Sequence, residues 1–347
     1  MGILQKICSN IFPEEPGCYN NPYDNDETSW REESSDLESR YEPINDRPLN
    51  NNEGKGEVRI CLFIDGARCS IRKEVLTKDK CSFVKLAHTV VGCVRMKDGN
   101  FTLEKCNEKI VLCFDEMTYR RIDPELKHSN ELLDKINREL SKCSRKFKID
   151  EIASGSTDKN ADRDKLSEML TEDENELALS MCSGLESNEW LLKDGILMAK
   201  PANAPAPNMI GLSKSISIKE VTAINGLKKG RRTEARLNHK TGIIKWYLRL
   251  RDADLDGDRS HIVGLEIYAR QNTSVDKGTN EIIDESTNTL INCISAEVLS
   301  MAYPVAYGIK DFGERWRTHI YPIFVTEEFC KSKEHTAAEL KYYLDKM

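Results

Sequence analysis

Apolar positions fall in short strand-length runs in the first half of the chain and at helical intervals later on. Val58–Ile64 is followed by Ala67–Leu76, Phe83–Met96, Phe101–Leu103 and Ile110–Phe114. Runs of this length, bounded by Gly, Asp and Asn, predict three or four antiparallel strands in succession. Lys97-Asp98-Gly99-Asn100 has the composition of a hairpin turn. Leu132, Leu133, Ile136 and Leu140 then recur at helical spacing, and residues 150–162 are polar enough to predict a loop. Leu166, Met169, Leu170, Leu177, Met181 and Leu185 predict a long helix that leads into the strand Trp190-Leu191-Leu192. Pro201 to Pro207 predicts a loop, and Ile210–Leu212 and Ile216–Ile218 are short apolar runs. Ile243–Leu250 and Ile262–Ala269 predict strands joined by an acidic turn. Glu281–Met301 predicts a helix, Ile320–Val325 a strand and Glu328–Lys346 a terminal helix. There is no internal repeat.

Strands first, then helices alternating with strands, predict an α/β domain built on a mixed sheet with helices on its faces. That domain spans 57–347. Residues 1–56 predict a polar, partly disordered N-terminal extension, because 13–56 are rich in Asn, Asp, Glu, Pro and Ser. Residues 1–12 are the one part of it with the makings of a short amphipathic anchor. No apolar run approaches the 18 or so residues of a membrane span. The start, Met1-Gly2-Ile3-Leu4-Gln5-Lys6, turns polar too soon for a secretory signal, and Lys6 stands where a myristoylation site wants Ser or Thr. A cytoplasmic protein without a membrane partner is expected.

Of the 347 residues, 39% are hydrophobic and 31% charged, and the formal net charge is −7. That balance does not advertise nucleic-acid binding, yet basic text is concentrated at Lys142–Lys148 and at Lys228-Lys229-Gly230-Arg231-Arg232 with Arg236, His239 and Lys240. Such text is a solvated face or a contact for a phosphate backbone. The 12 cysteines are scattered and no CxxC pair occurs, which excludes a zinc ribbon and predicts buried free thiols in a reducing compartment.

Two apolar runs end in Asp-Gly: Phe63-Ile64-Asp65-Gly66 and Leu191-Leu192-Lys193-Asp194-Gly195. Each predicts a strand that delivers a carboxylate at its C-terminal end, with Gly opening a turn. A carboxylate is costly to bury alone. Two of them, brought together at the carboxyl ends of strands, predict a shared cation. A pair of divalent ions about 3.5–4 Å apart is a common means of hydrolysing phosphodiesters, and it needs three or four carboxylates. The third would come from the helix before Asp194. Glu174 and Glu176 are both available, and Glu176, next to Leu177 at the edge of the apolar stripe, is preferred. Asp252-Ala253-Asp254-Leu255-Asp256-Gly257-Asp258 matches the first half of a calcium loop, but its twelfth position is Val263 and its flanks predict strands, so an acidic β-turn is expected. GxSxG, Walker A, HExxH and GxGxxG are absent.

Phe63-Ile64-Asp65-Gly66-Ala67-Arg68 resembles the first motif of NurA nucleases, and Leu191-Leu192-Lys193-Asp194-Gly195-Ile196-Leu197 resembles the second. Ile210-Gly211-Leu212-Ser213-Lys214 is similar to the strand ending in Lys that follows. Trp246–Leu250 and Val263–Ile267 are similar to the later hairpin, and Tyr303-Pro304 to the Tyr-Pro entry to the last catalytic helix. The resemblance covers 58–330. It implies an RNase H-like mixed β-sheet flanked by helices with additional strands and helices inserted, and manganese- or magnesium-dependent cleavage of DNA. It implies partners too: a homodimer, working with a hexameric HerA-type ATPase in DNA end processing (repair) or anti-phage (antiviral) defence.

Carried over motif by motif, the metal ligands are Asp65, Glu176 and Asp194, and Lys214 stabilises charge on the phosphate. The family's last ligand is a His eight residues after the Tyr of Tyr-Pro, where this chain has Asp311. His319 is the alternative, although it precedes a predicted strand. The expectation is a metal-dependent deoxyribonuclease. The competing expectations are an inactive adaptor of the same fold that docks on a DNA translocase, and a calcium-binding module built on Asp252–Asp258.

Overall fold

The computed structural model describes residues 17–19, 47–48, 58–76, 81–115, 119, 129–142, 147–155, 161–199, 206–214, 224, 227–251, 261–276, 278–302 and 320–346. Its centre is three long strands, β3 (Arg59–Leu76), β4 (Cys81–Lys97) and β5 (Asn100–Asp115). They follow β1 (Gly17–Tyr19) and β2 (Arg47–Pro48) in the chain and run antiparallel in sequence order. The β4–β5 connection is the expected hairpin. Lys97 pairs with Asn100, and Asp98 and Gly99 take φ of 53° and 76°, the left-handed pair that a two-residue turn requires.

Helix α1 (Ser129–Ser141) and β6 (Glu151–Gly155) come next, then α2 (Ala161–Cys182), β7 (Glu189–Asp194) and β8 (Met209–Ser213). The sheet continues through β9 (Arg231–Arg232), β10 (Arg236–Asn238), β11 (Ile243–Arg249) and β12 (Ile262–Tyr268). The chain closes on α3 (Glu285–Ser300), α4 (Tyr321–Lys331) and α5 (Ala337–Lys346). Among the described residues all twelve strands join one sheet in the order β2-β9-β11-β12-β8-β7-β3-β4-β5-β6, with β1 on β3 and β10 on β11. The pairs β3·β7, β7·β8 and β5·β6 are parallel and the remaining pairs antiparallel. This is the mixed α/β architecture expected from the pattern.

Helices cover both faces. Leu177 and Ala178 of α2 pack on Leu62, Ile64, Val91 and Leu191. On the other face, Ile291, Ile294 and Val298 of α3 and Ile323 of α4 pack on Phe63, Leu192, Leu212 and Trp246. There the Trp246 indole N–H donates to Ser295 Oγ at 3.0 Å. Farther along that face, Ile136 and Leu140 of α1 and Leu340 and Leu344 of α5 cover Leu86, Leu112 and Phe114. Alternation along a strand then decides which face each residue of β3 serves.

Four expectations are corrected. Val58–Ile64 and Ala67–Leu76 are one strand, because β4 pairs with β3 without a break from Leu62 to Leu76, so Asp65-Gly66 does not open a turn. Residues 150–162 contain β6, a parallel partner for Val111–Asp115 at the edge of β5. Ile320–Val325 is the entry to α4 and not a strand. Pro322 sits in its first turn, where the missing N–H has no intrahelical partner to lose. The expected helix over Glu328–Lys346 is two helices, because Thr336 and Glu339 cap α5 reciprocally: Glu339 N–H donates to Thr336 Oγ1 at 3.2 Å and Thr336 N–H to Glu339 Oε2 at 2.8 Å.

The eight described cysteines, Cys61, Cys69, Cys93, Cys106, Cys113, Cys182, Cys293 and Cys330, are free. No described helix is long and apolar enough to cross a membrane. Tyr303-Pro304, Asp311, His319, Ile216–Ile218 and Asp252–Asp258 lie outside the described residues.

Candidate functional site

Asp65 lies inside β3 at the point where the parallel partner is lost. Ile64 is the last residue of β3 that pairs with β7, opposite Lys193, so Asp65 and Asp194 follow side by side. Asp65 therefore stands at the end of the parallel β3·β7 ladder although its own strand continues. Gly195, at φ 89°, then turns the chain away after Asp194, as the Asp-Gly pattern predicted for the second motif.

Phe63 and Ala67 pack toward α3 and α4, which puts Asp65 on that face. It is 5% exposed, its carboxylate accepts from the Gly66 N–H at 2.8 Å, and the Cys330 thiol of α4 donates to its backbone carbonyl at 3.4 Å. Burial pushes its carboxyl well above the usual carboxylate range. The neighbouring Asp194 adds to the rise, as do Glu174 and Glu327, and Lys214 opposes it. Like charges forced together out of water are the signature of a site that wants a cation or a proton.

Glu327, buried on α4, is the carboxylate that sequence reasoning missed. Lys331 holds it from one turn on, at 3.1 Å. Two signals pointed to it: Pro322 inside the apolar run marks a helix start, and Tyr321-Pro322 repeats the Tyr-Pro dipeptide seen earlier at Tyr303-Pro304.

The α2 glutamates are resolved by geometry. Glu174 is buried and Glu176 exposed, so the preference for Glu176 as the site-facing residue is corrected to Glu174. Adjacency to Leu177 misled, because on a 3.6-residue helix Glu174 lies nearly one turn before Leu177 and shares its inward face. Glu174 meets Lys193, whose fully buried ammonium donates to Glu174 Oε2 at 3.2 Å and to the Asp194 carbonyl at 2.8 Å. Burial raises the Glu174 carboxyl to about 7, with Lys193 pulling it down and Asp194 pushing it up. Gly66 makes the contact possible: a Cβ there would lie 2.7 Å from Glu174 Oε1 and 2.9 Å from Leu170 Cδ1.

Lys214 follows β8 and donates to Asp194 Oδ2 at 2.8 Å. Burial works against its charge, but Asp194 and Asp65 outweigh that and raise its pKa. The structure thus brings Asp65, Asp194 and Lys214 together, adds Glu327 and Glu174, and leaves Glu176 outside. Among the described residues no three or more Asp, Glu, His or Cys close into a ready ligand cage. Lysines hold three of the carboxylates: Lys214 holds Asp194, Lys193 holds Glu174 and Lys331 holds Glu327. The donor set is nonetheless all oxygen, suited to a hard divalent cation once Lys214 moves off Asp194.

No family model matches the chain, and no curated protein matches it. Among solved structures it is similar to the crystal structure of the NurA nuclease from Sulfolobus solfataricus, with 9% identity over 87% of this chain and 86% of that one and a TM-score of 0.44. A likeness this distant assigns no residue a role, and the site rests on its own geometry.

Proposed function

We propose that this chain is a metal-dependent deoxyribonuclease with a carboxylate site that takes Mn²⁺ or Mg²⁺. The observation that carries the reading is the juxtaposition of buried Asp65 with half-buried Asp194, with Glu327 and Glu174 converging from helices on opposite faces. Asp65 and Asp194, with Glu327 from α4, are the residues that would hold the cation, and Glu174 supplies further negative charge through Gly66. A divalent ion bound there would polarise a phosphoryl oxygen and lower the pKa of water. Lys214 is placed to exchange its bond to Asp194 for one to a phosphoryl oxygen, where its charge favours the transition state. Lys193 keeps Glu174 oriented. The strand order β5-β4-β3-β7-β8, an antiparallel meander continued by two parallel strands, supports an RNase H-like core. A homodimer working with a HerA-type hexameric translocase, in repair or defence, is part of this reading and rests on the motif resemblance.

One observation favours a second reading, an inactive adaptor of the same fold. Lys214, Lys193 and Lys331 already pair with Asp194, Glu174 and Glu327, so three of the four carboxylates have a counter-charge without metal. Calorimetric titration with Mn²⁺, paired with cleavage of linear DNA, separates the two. Saturable binding and cleavage, both lost in Asp65→Ala, are expected. Absence of heat and of cleavage, alone and with a HerA-type ATPase, would leave the adaptor.

A further inference from the structure

The basic text between residues 228 and 240 divides between opposite ends of the sheet, and strand register shows which part shares an end with the carboxylates. Ser213 pairs with Gly264, Gly264 with Tyr247, and Leu248 with Arg232. One residue past Ser213, Lys214 is therefore in line with Val263, Leu248 and Arg232. Arg231 and the turn before it lie just beyond, at the end of the sheet that holds Asp194. The separation is four strand intervals from β7 and three from β8, about 19 Å and 14 Å at about 4.8 Å each. Arg236, His239 and Lys240 go the other way. Arg236 pairs with Lys245 and Asn238 with Ile243, next to the start of β11, so these residues lie at the opposite end.

Arg232 is not free to meet a ligand. Its guanidinium is fully buried and donates to Asn292 Oδ1 at 2.7 Å, the Thr233 carbonyl at 2.8 Å and Asn288 Oδ1 at 3.1 Å, which ties β9 to α3. That bolt fixes the turn in front of it. Gly230 N–H donates to the Arg249 carbonyl and Arg231 N–H to the Lys228 carbonyl, both at 3.0 Å, and Gly230 takes φ 68°. Lys228 and Lys229 are left exposed and Arg231 partly exposed, with no acidic partner among the described residues.

We propose that Lys228, Lys229 and Arg231 contact the phosphate backbone of DNA and lay it along this end of the sheet toward Asp65, Asp194 and Lys214. The inference rests on the nuclease reading for its direction. The span of about 19 Å corresponds to about six base pairs at a rise of about 3.4 Å. Positive charge fixed on a bolted turn, with no acidic partner among the described residues, is suited to a polyanion. Phosphate contact at this distance sets register without touching the chemistry.

The test is fluorescence anisotropy of the full chain with a labelled 20-base-pair duplex and the matching single strand, in EDTA, over a salt series. Lys228→Glu/Lys229→Glu is expected to weaken binding at least about tenfold and to reduce the slope of log affinity against log salt by about 2. Lys240→Glu, at the far end, is expected to change affinity by less than about twofold. Lys228→Ala/Lys229→Ala repeats the test with milder changes. Wild-type affinity in the double variants, or an equal loss in Lys240→Glu, overturns the proposal. So does lower thermal stability with unchanged affinity, which would assign the lysines to the C-terminal carbonyls of α3, next to which Gly230 packs. Binding through the lysines without Mn²⁺-dependent cleavage removes the nuclease reading and leaves this inference standing. Cleavage with lysine-independent binding does the reverse.

Discussion

The carboxylate of Glu174 occupies the space that a side chain at Gly66 would need. A Cβ at 66 would stand 2.7 Å from Glu174 Oε1, closer than such atoms approach, with Leu170 Cδ1 at 2.9 Å behind it. Gly66 is thus present because α2 reaches the strand there, and not because the strand turns. Gly66→Ala is expected to destabilise the fold by about 1–3 kcal/mol through overpacking and to weaken Mn²⁺ binding by displacing Glu174. Chemical denaturation and calorimetric titration of the same variant check the two effects.

The Lys193–Glu174 pair makes stability depend on pH. Burial raises Glu174 to about 7 from an unfolded value near 4.5. Between those values the folded chain keeps a proton that the unfolded chain releases. This group's contribution to stability is complete below the unfolded value and is lost as pH rises through about 7. Lys193→Met removes the opposing charge from a fully buried position and raises Glu174 further. Denaturation curves at pH 8 are expected to show a loss of about 3–5 kcal/mol, shrinking toward pH 5 as Glu174 protonates.

A second titration runs in the other direction. His88 is 2% exposed and its Nδ1 accepts the His335 backbone N–H at 2.9 Å, which fastens the turn before α5 to β4. Burial lowers the His88 pKa and His335 lowers it further, against Glu108 and Asp150. The neutral ring contributes stability that is present above about 6.5, the unfolded value, and is lost as pH falls through the lowered folded value. Hydrogen exchange across residues 335–346, corrected for intrinsic rates, is expected to quicken between pH 6.5 and pH 5. In His88→Phe, α5 should be less protected throughout and should show no such pH dependence.

The ligand set is checked by paired substitutions. Glu327→Gln keeps the shape of a residue buried against β3 and removes its charge. It is expected to lower Mn²⁺-dependent cleavage at least about tenfold, the scale of loss for groups that tune a metal site. Glu176→Gln, on the exposed side of α2, should stay within about twofold of wild type in the same assay. Equal losses in both would return the site-facing role to Glu176.

Much of this fold is written in local pattern. Period-two alternation and turn residues predicted β4, β5, β11 and β12, and the 3.6-residue recurrence of Leu166, Met169, Leu170 and Leu177 predicted α2, because both signals arise from neighbours along the chain. Asp65 and Asp194 were legible as a pair for the same reason: each follows an apolar run, and a carboxylate there asks for a partner. The short parallel strand β6 was not legible, because its support comes from the edge of β5 some forty residues earlier. The entry to α4 was misread because a six-residue apolar run such as Ile320–Val325 suits either element, and only Pro322 distinguished them.

By itself, then, the sequence determined the class of the sheet, the order of its principal elements and two of the carboxylates. Tertiary structure decided where those carboxylates sit and what lies beside them. Loss of the parallel partner after Ile64 makes mid-strand Asp65 the end of a ladder, and packing of α2 on Gly66 selects Glu174 over Glu176. Docking of α4 on β3 brings Glu327 from more than 260 positions away. The reason is physical: propensity and periodicity act within a few residues. Which carboxylate becomes buried, and beside which charge, depends on surfaces that meet only when the sheet is assembled.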